Sequence, residues 1–150
     1  MDATALMGSL VDNALASGYF ESVNGHEPLS APGHGITAAV WVQDIRPVPS
    51  ESGLAVVSIA VTFNIRIYSN AIQEPQDAID PNLITAASAL LSSYSAGFTL
   101  GGQVMEVDIF GVAGIQLSSI AGWVEQSGAV YRVMTITLPV IVTDLWTEAP

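Results

Sequence analysis

The chain of 150 residues has no cysteine and no lysine, and only 11% of it is charged. Without cysteine there are no disulfides, thiolate metal sites or cysteine nucleophiles, and the redox compartment cannot be read. Basic charge is confined to Arg46, Arg66 and Arg132, against 14 acidic residues, for a net charge of -11. A broad phosphate-binding face needs several basic groups, so tight nucleic-acid binding is not expected. An acidic surface past which DNA travels without sticking remains compatible with these totals. No apolar run has the length and character of a membrane helix. The N-terminus lacks the basic region of a signal peptide. A cytoplasmic origin is the default expectation.

The usual catalytic signatures are missing too. There is no phosphate loop ending in Gly-Lys-Ser/Thr and no Gly-x-Ser-x-Gly elbow. The two histidines, His26 and His34, lie in a glycine- and proline-rich stretch, with no spaced set of acids to complete a metal site. Neither an enzyme nor a metal or other cofactor is expected.

What is present is β-pattern. From Leu54 to Tyr68, Val57, Ile59, Val61, Phe63, Ile65 and Ile67 alternate with Ser58, Ala60, Thr62, Asn64, Arg66 and Tyr68. In an extended chain the first set shares one face and the second set the other. Such a strand would span roughly 50 Å at about 3.3 Å per residue, so it is expected to bend or to project as a ribbon that a partner can meet. Ile36–Val48 reads as a preceding strand, joined to it as a long antiparallel hairpin with Arg46 near the tip.

The pattern places a helix over residues 2–17, with Ala3, Leu6, Met7, Leu10 and Ala14 in its stripe and Gly18 as its stop. Residues 19–35 read as a flexible loop. Asp80-Pro81 reads as the cap and first residue of a second helix reaching about Ala96, with Leu83, Ile84, Ala87, Leu90, Leu91 and Tyr94 as the broad apolar face laid against the sheet. Three strands follow, over Val104–Phe110, Ile115–Val124 and Ala129–Thr143, then a tail over 144–150. Pro139 inside the last strand implies an edge position, a bulge or a break. The expected fold is a single α+β domain, a mainly antiparallel sheet with a long β-hairpin, flanked by two helices.

Sparse charge beside 50% hydrophobic residues favours subunit association. Arg66 sits on the polar face of its strand, where it could pair with an acid of a neighbouring strand or subunit. Glu106 and Asp108, two apart, share a strand face. An ordinary solvated or lumen-facing surface accounts for them better than a cation site.

Four stretches resemble the tail terminator proteins of long-tailed bacteriophages, in particular those of actinobacterial phages. They are Phe63-Asn64-Ile65-Arg66-Ile67-Tyr68, then Pro75 to Pro81 with its helix, then Thr99-Leu100-Gly101-Gly102 leading into Val104 to Gly111. The fourth is Tyr131-Arg132-Val133-Met134 with Leu138-Pro139-Val140, closed by Asp144-Leu145-Trp146. The resemblance spans roughly residues 54 to 146. It implies a hexameric ring in the virion that caps the tail tube at its head-proximal end, stops tube polymerisation and joins the head connector. DNA passes through such a ring without sequence-specific binding, and no membrane is involved. On that footing Asn64, Arg66, Tyr68 and Arg46 are assembly-interface candidates, and Glu106 and Asp108 are channel-facing candidates. A connector or tube component, or an assembly chaperone absent from the virion, are the rival readings.

Overall fold

The computed structural model describes residues 3–20, 22–25, 36–47, 56–70, 76–95, 106–111, 114–126 and 128–147. The elements run α1 (Ala3–Ala16), β1 (Ser22–Asn24), β2 (Ile36–Pro47), β3 (Val56–Asn70), α2 (Gln76–Ser95), β4 (Glu106–Val107), β5 (Ser118–Gln126) and β6 (Ala129–Thr147). They form an α+β fold with a mainly antiparallel sheet ordered β1-β2-β3-β6-β4, in which β5 also pairs with β6.

The alternation in β3 determines which face the helices cover. Ile59, Val61, Phe63, Ile65 and Ile67 are fully buried. Across the ladder Phe63 opposes Val42 and Leu138, and Ile65 opposes Val40 and Ile136, so the apolar rows run straight across three strands. Leu6, Leu10 and Ala14 of α1, with Leu83, Ala87, Leu90 and Tyr94 of α2, close this face into one core. α1 lies against β1 and β2, and α2 against β3 and β6. Gly18, at φ 81°, ends the α1 turn in the left-handed region where a Cβ is penalised.

β3 does not project. It is paired with β2 from Ile59 to Ser69 and with β6 along nearly its whole length. Its length is matched by long neighbours, and a bulge between Val42 and Asp44 adjusts the register. Other expectations need correction. The stretch 19–35 contains β1, which pairs in parallel with Thr37–Ala39; three residues are too few to leave a periodic signal. His26 and His34 lie outside the described residues. α2 begins at Gln76, so Asp80 and Pro81 fall inside it. There Pro81 forgoes one backbone bond near the helix start, a milder defect than in mid-helix. The expected tail contains the end of β6, whose residues Trp146 and Thr147 pair with Val57 and Val56.

Pro139 sits within β6 because of a seam. Its carbonyl accepts a bond from the Asp108 N–H at 2.9 Å, so its amide side also points away from β3. On that side β5 begins opposite Thr137 and β4 pairs at Val140 and Ile141. The missing donor therefore faces the junction between two short strands, a local edge inside a long one.

Tyr94 is buried at 1% exposure, and burial holds its phenol well above the usual tyrosine value. A folded-state value raised above the unfolded one gives stability that is intact below pH ~10 and lost as pH rises beyond it. Tyr94→Phe keeps the ring and removes that ionisation. Thermal melts between about pH 9.5 and 11 should therefore fall less steeply for the variant than for the parent. Equal slopes would assign the alkaline loss to other groups.

Candidate functional site

The sheet face away from the helices is only partly covered, and it holds most of the expected interface residues. Register and alternation place Trp41, Asn64, Thr137 and Ser118 in one row across this face. Ala39, Arg66, Thr135 and Ile120 form the next. The Arg66 guanidinium carbon lies 5.3 Å from the Trp41 ring centroid. Its Nε donates to Thr135 Oγ1 at 3.0 Å. Among the described residues Arg66 makes no ion pair. The tryptophan face and the threonine hydroxyl hold the cation extended along the sheet, in a row that ends at the exposed Ile120.

Tyr68 is not on this open patch. It is 1% exposed and meets Tyr131 edge-on, with ring centroids 6.2 Å apart. Ala39 and Val133 complete that second small core. Tyr68 therefore belongs to packing, because an aromatic residue of a facing strand covers it.

At the far end of the same face lies the loop from Asp108 to Leu117. Gly111 N donates to Asp108 O, Gly114 N to Gly111 O, and Leu117 N to Ile109 O, so the loop is pinned at both ends. Its middle reaches β2: a Cβ at Gly114 would lie 3.4 Å from Arg46 Nη2. Ala60 and Thr62, on this side of β3, are completely buried. Arg46 Nη1 pairs with Asp44 Oδ2 at 3.2 Å beneath the loop, with both side chains partly exposed.

Glu106 opens β4 opposite Ile141. The strand ends at Val107, and Asp108 enters the turn with its side chain 5% exposed. The expectation of two carboxylates displayed on one strand face is not met, because the chain turns where a longer strand was read. Phe110, at the same turn, is 85% exposed.

Gly111 makes this loop possible. Its φ is +73°, and a Cβ there would sit 2.9 Å from the Gln116 nitrogen. Gly111→Ala should cost at least about 1–2 kcal/mol from handedness alone, with the close approach added. The loop should then become a protease-sensitive site in limited digestion. An unchanged melt and digestion pattern would show that the loop relaxes freely.

A second arginine–tryptophan pair lies on the helix-covered side of β5 and β6. The Arg132 guanidinium carbon is 4.9 Å from the Trp123 ring centroid, and Nη1 donates to Gly122 O at 3.3 Å. Beside it Leu83, Ile84, Ala121, Arg132 and Met134 line an open groove of about 120 Å³. Sequence reading missed this groove. Its only signal was Trp123, an aromatic in an apparently weak strand.

No helix among the described residues is long and apolar enough to cross a membrane. The chain matches no protein-family model, and no curated protein is similar enough to it to count as a relative. Fold and surface chemistry alone therefore define the candidate, an α+β domain with two unlike sheet edges and a partly open face.

Proposed function

We propose that this chain is a ring-forming structural protein of a long-tailed bacteriophage. It caps the tail tube at its head-proximal end, halts tube growth and joins the head connector. The observation that carries the self-association is the chemistry of the two sheet edges. On one side, among the described residues, β2 has no outer partner from Val40 to Pro47, and Leu15, Tyr19 and Ile45 stand 40–46% exposed around it. On the other side, among the described residues, β5 has no outer partner, and it carries a single charge, Glu125. Ile84, Ile120, Trp123 and Val130 are exposed there at 41–69%. Edge strands in free-standing domains are ordinarily guarded by charge, proline, a bulge or a covering element; β2 has Asp44, Arg46, Pro47 and a bulge along its open stretch, whereas β5 has only Glu125. Two unlike edges suit a head-to-tail contact, which closes into a ring when the rotation allows and then leaves no edge open. The particular role at the tail tube rests on the four resembling stretches. The surplus of carboxylates fits a channel that DNA crosses without sticking.

Imaging of the purified protein, alone and added to polymerising tail tubes, tests the reading. Single closed rings and shortened, capped tubes are expected. Long tubes built from this chain itself would make it a tube component, and its absence from the head-proximal end of the assembled tail would sink the proposal. Arg66→Ala tests the open face: a folded variant that still forms rings and joins tails would make that face ordinary surface.

A further inference from the structure

We infer that β5 pairs edge to edge with β5 of a second copy of this chain, antiparallel and centred on Gly122. The pairing stands independently of the ring reading. If rings close through the same edge, the pair is the free form of the protein and has to part before a ring is built.

β5 is the less guarded of the two sheet edges. Its ladder with β6 runs from Ser118 to Gln126 without a register shift, it holds no proline, and Glu125 is its only charge. Among the described residues nothing pairs on its outer side, and its Ile120 and Trp123 are 69% and 60% exposed. A straight, nearly uncharged edge is a template for one more strand. The open stretch of β2 is a poorer candidate for that strand, because it carries a bulge, two charged side chains and Pro47. A second β5 has none of these interruptions.

The register follows from the strand's own sequence. Gly122 is the midpoint of Ser118–Gln126, so a twofold axis there pairs all 9 residues of the strand. Trp123 then stands opposite Ala121 of the second copy, and Ile120 opposite Val124, so a large side chain meets a small one and two apolar side chains meet each other. Ala121 lines the open groove with Leu83, Ile84 and Met134, so the incoming indole meets apolar surface. One face of Trp123 stays on Arg132 of its own chain, and that cation is not needed by the second copy. The Gly122 carbonyl accepts from Arg132 at 3.3 Å and keeps a second lone pair. A centre at Ala121 would set Ile120 against Gly122, and a centre at Trp123 would set Ala121 against Glu125. Charge agrees with the middle choice. Each chain carries a net charge of -11, yet Glu125 faces the neutral Ser119 of the second copy. The two Glu125 residues stand on either side of the axis, roughly 20 Å apart, well beyond the screening length of about 8 Å at physiological salt. Main-chain bonds supply the affinity in such strand addition, and the side chains supply the register.

The absence of native cysteine makes a single substitution a test of the axis. Directly opposed residues of antiparallel strands have Cα atoms about 4.5–5.5 Å apart, within reach of a disulfide. A Cβ at Gly122 would meet Val133 Cγ2 at 3.8 Å, an ordinary contact. Gly122→Cys under mild oxidation should therefore give a covalent dimer and nothing larger, whereas Leu15→Cys, on α1, should stay at background. In sedimentation the parent should show a concentration-dependent dimer. Ile120→Glu, at an exposed position, should raise its dissociation constant at least about tenfold with unchanged circular dichroism. A dimeric parent whose Gly122→Cys variant does not cross-link, or whose Ile120→Glu variant dimerises equally well, overturns the pairing. Monomers at every concentration, or closed rings with no dimer, overturn it too and leave the ring reading standing. Added to tail tubes, the covalent dimer should cap them only after reduction. Capping without reduction overturns the competition between pair and ring. A dimer that cross-links as expected but never caps tubes once reduced overturns the ring reading and leaves the pairing in place.

Discussion

Replacing Phe63 by alanine should lower the unfolding free energy by about 3–5 kcal/mol. Phe63 is fully buried in the middle of β3, between Val42 and Leu138, beneath the helices. Its removal takes away a large apolar surface and leaves a cavity whose walls belong to three long strands. Those strands are held in register on both sides of β3 and cannot collapse inward to fill it. A domain of ordinary stability has about 5–15 kcal/mol in total, so the variant approaches unfolding at physiological temperature. Denaturant melts with an unchanged slope and a much lower midpoint would show the loss. A shift below about 1 kcal/mol would mean that the helices resettle over the gap.

Tyr68→Ala should cost nearly as much, about 3 kcal/mol or more, and should do so without acting on any partner. Tyr68 is on the face opposite Phe63, where Tyr131, Ala39 and Val133 enclose it. Truncation removes the edge-on ring contact with Tyr131 and opens the second core to water. The contrast with Arg66, two residues earlier, is diagnostic. Arg66 is partly exposed and held by Trp41 and Thr135, so its loss leaves both cores packed. If Tyr68→Ala melted like the parent protein yet failed to assemble, the assignment of Tyr68 to packing would be wrong.

The two tyrosines also mark the limit of what sequence pattern could convey. Period-two alternation in β3 identified the face that α1 and α2 cover, because burial there depends only on side-chain type along one strand. The burial of Tyr68 depends on Tyr131, contributed by a strand that follows a helix and two short strands, and no local pattern encodes that meeting. The same reason hid the approach of Gly114 to the Arg46 side chain. The glycines marked turns but not where the turns would land. β1 was missed because Ser22–Asn24 has no period of its own and is held only by its pairing with β2. The start of α2 was misplaced because Asp80-Pro81 satisfies the local rules for a helix start, while the preceding turn of helix contains no contrary signal. At the candidate site Arg66 and Asn64 lie on the face where alternation placed them, whereas Arg46 joins that face only through the bulge between Val42 and Asp44, which strict alternation does not foresee. The groove beside Arg132 was illegible because its walls come from three elements.

The ladder between β3 and β6 has a consequence for the order of events when the chain folds. β2–β3 and β5–β6 are antiparallel pairs of strands adjacent in sequence, and hairpin units form on a scale of about 1–10 μs. The ladder that unites them joins residues such as Arg66 and Thr135, 69 positions apart. That union carries a loop-closure cost before any contact repays it. Until it forms, β3 and β6 each present an apolar face and an unpaired edge. The long-range β3–β6 pairing is therefore the step expected to limit folding, and it is before this step that newly made chains are most open to mispairing with one another.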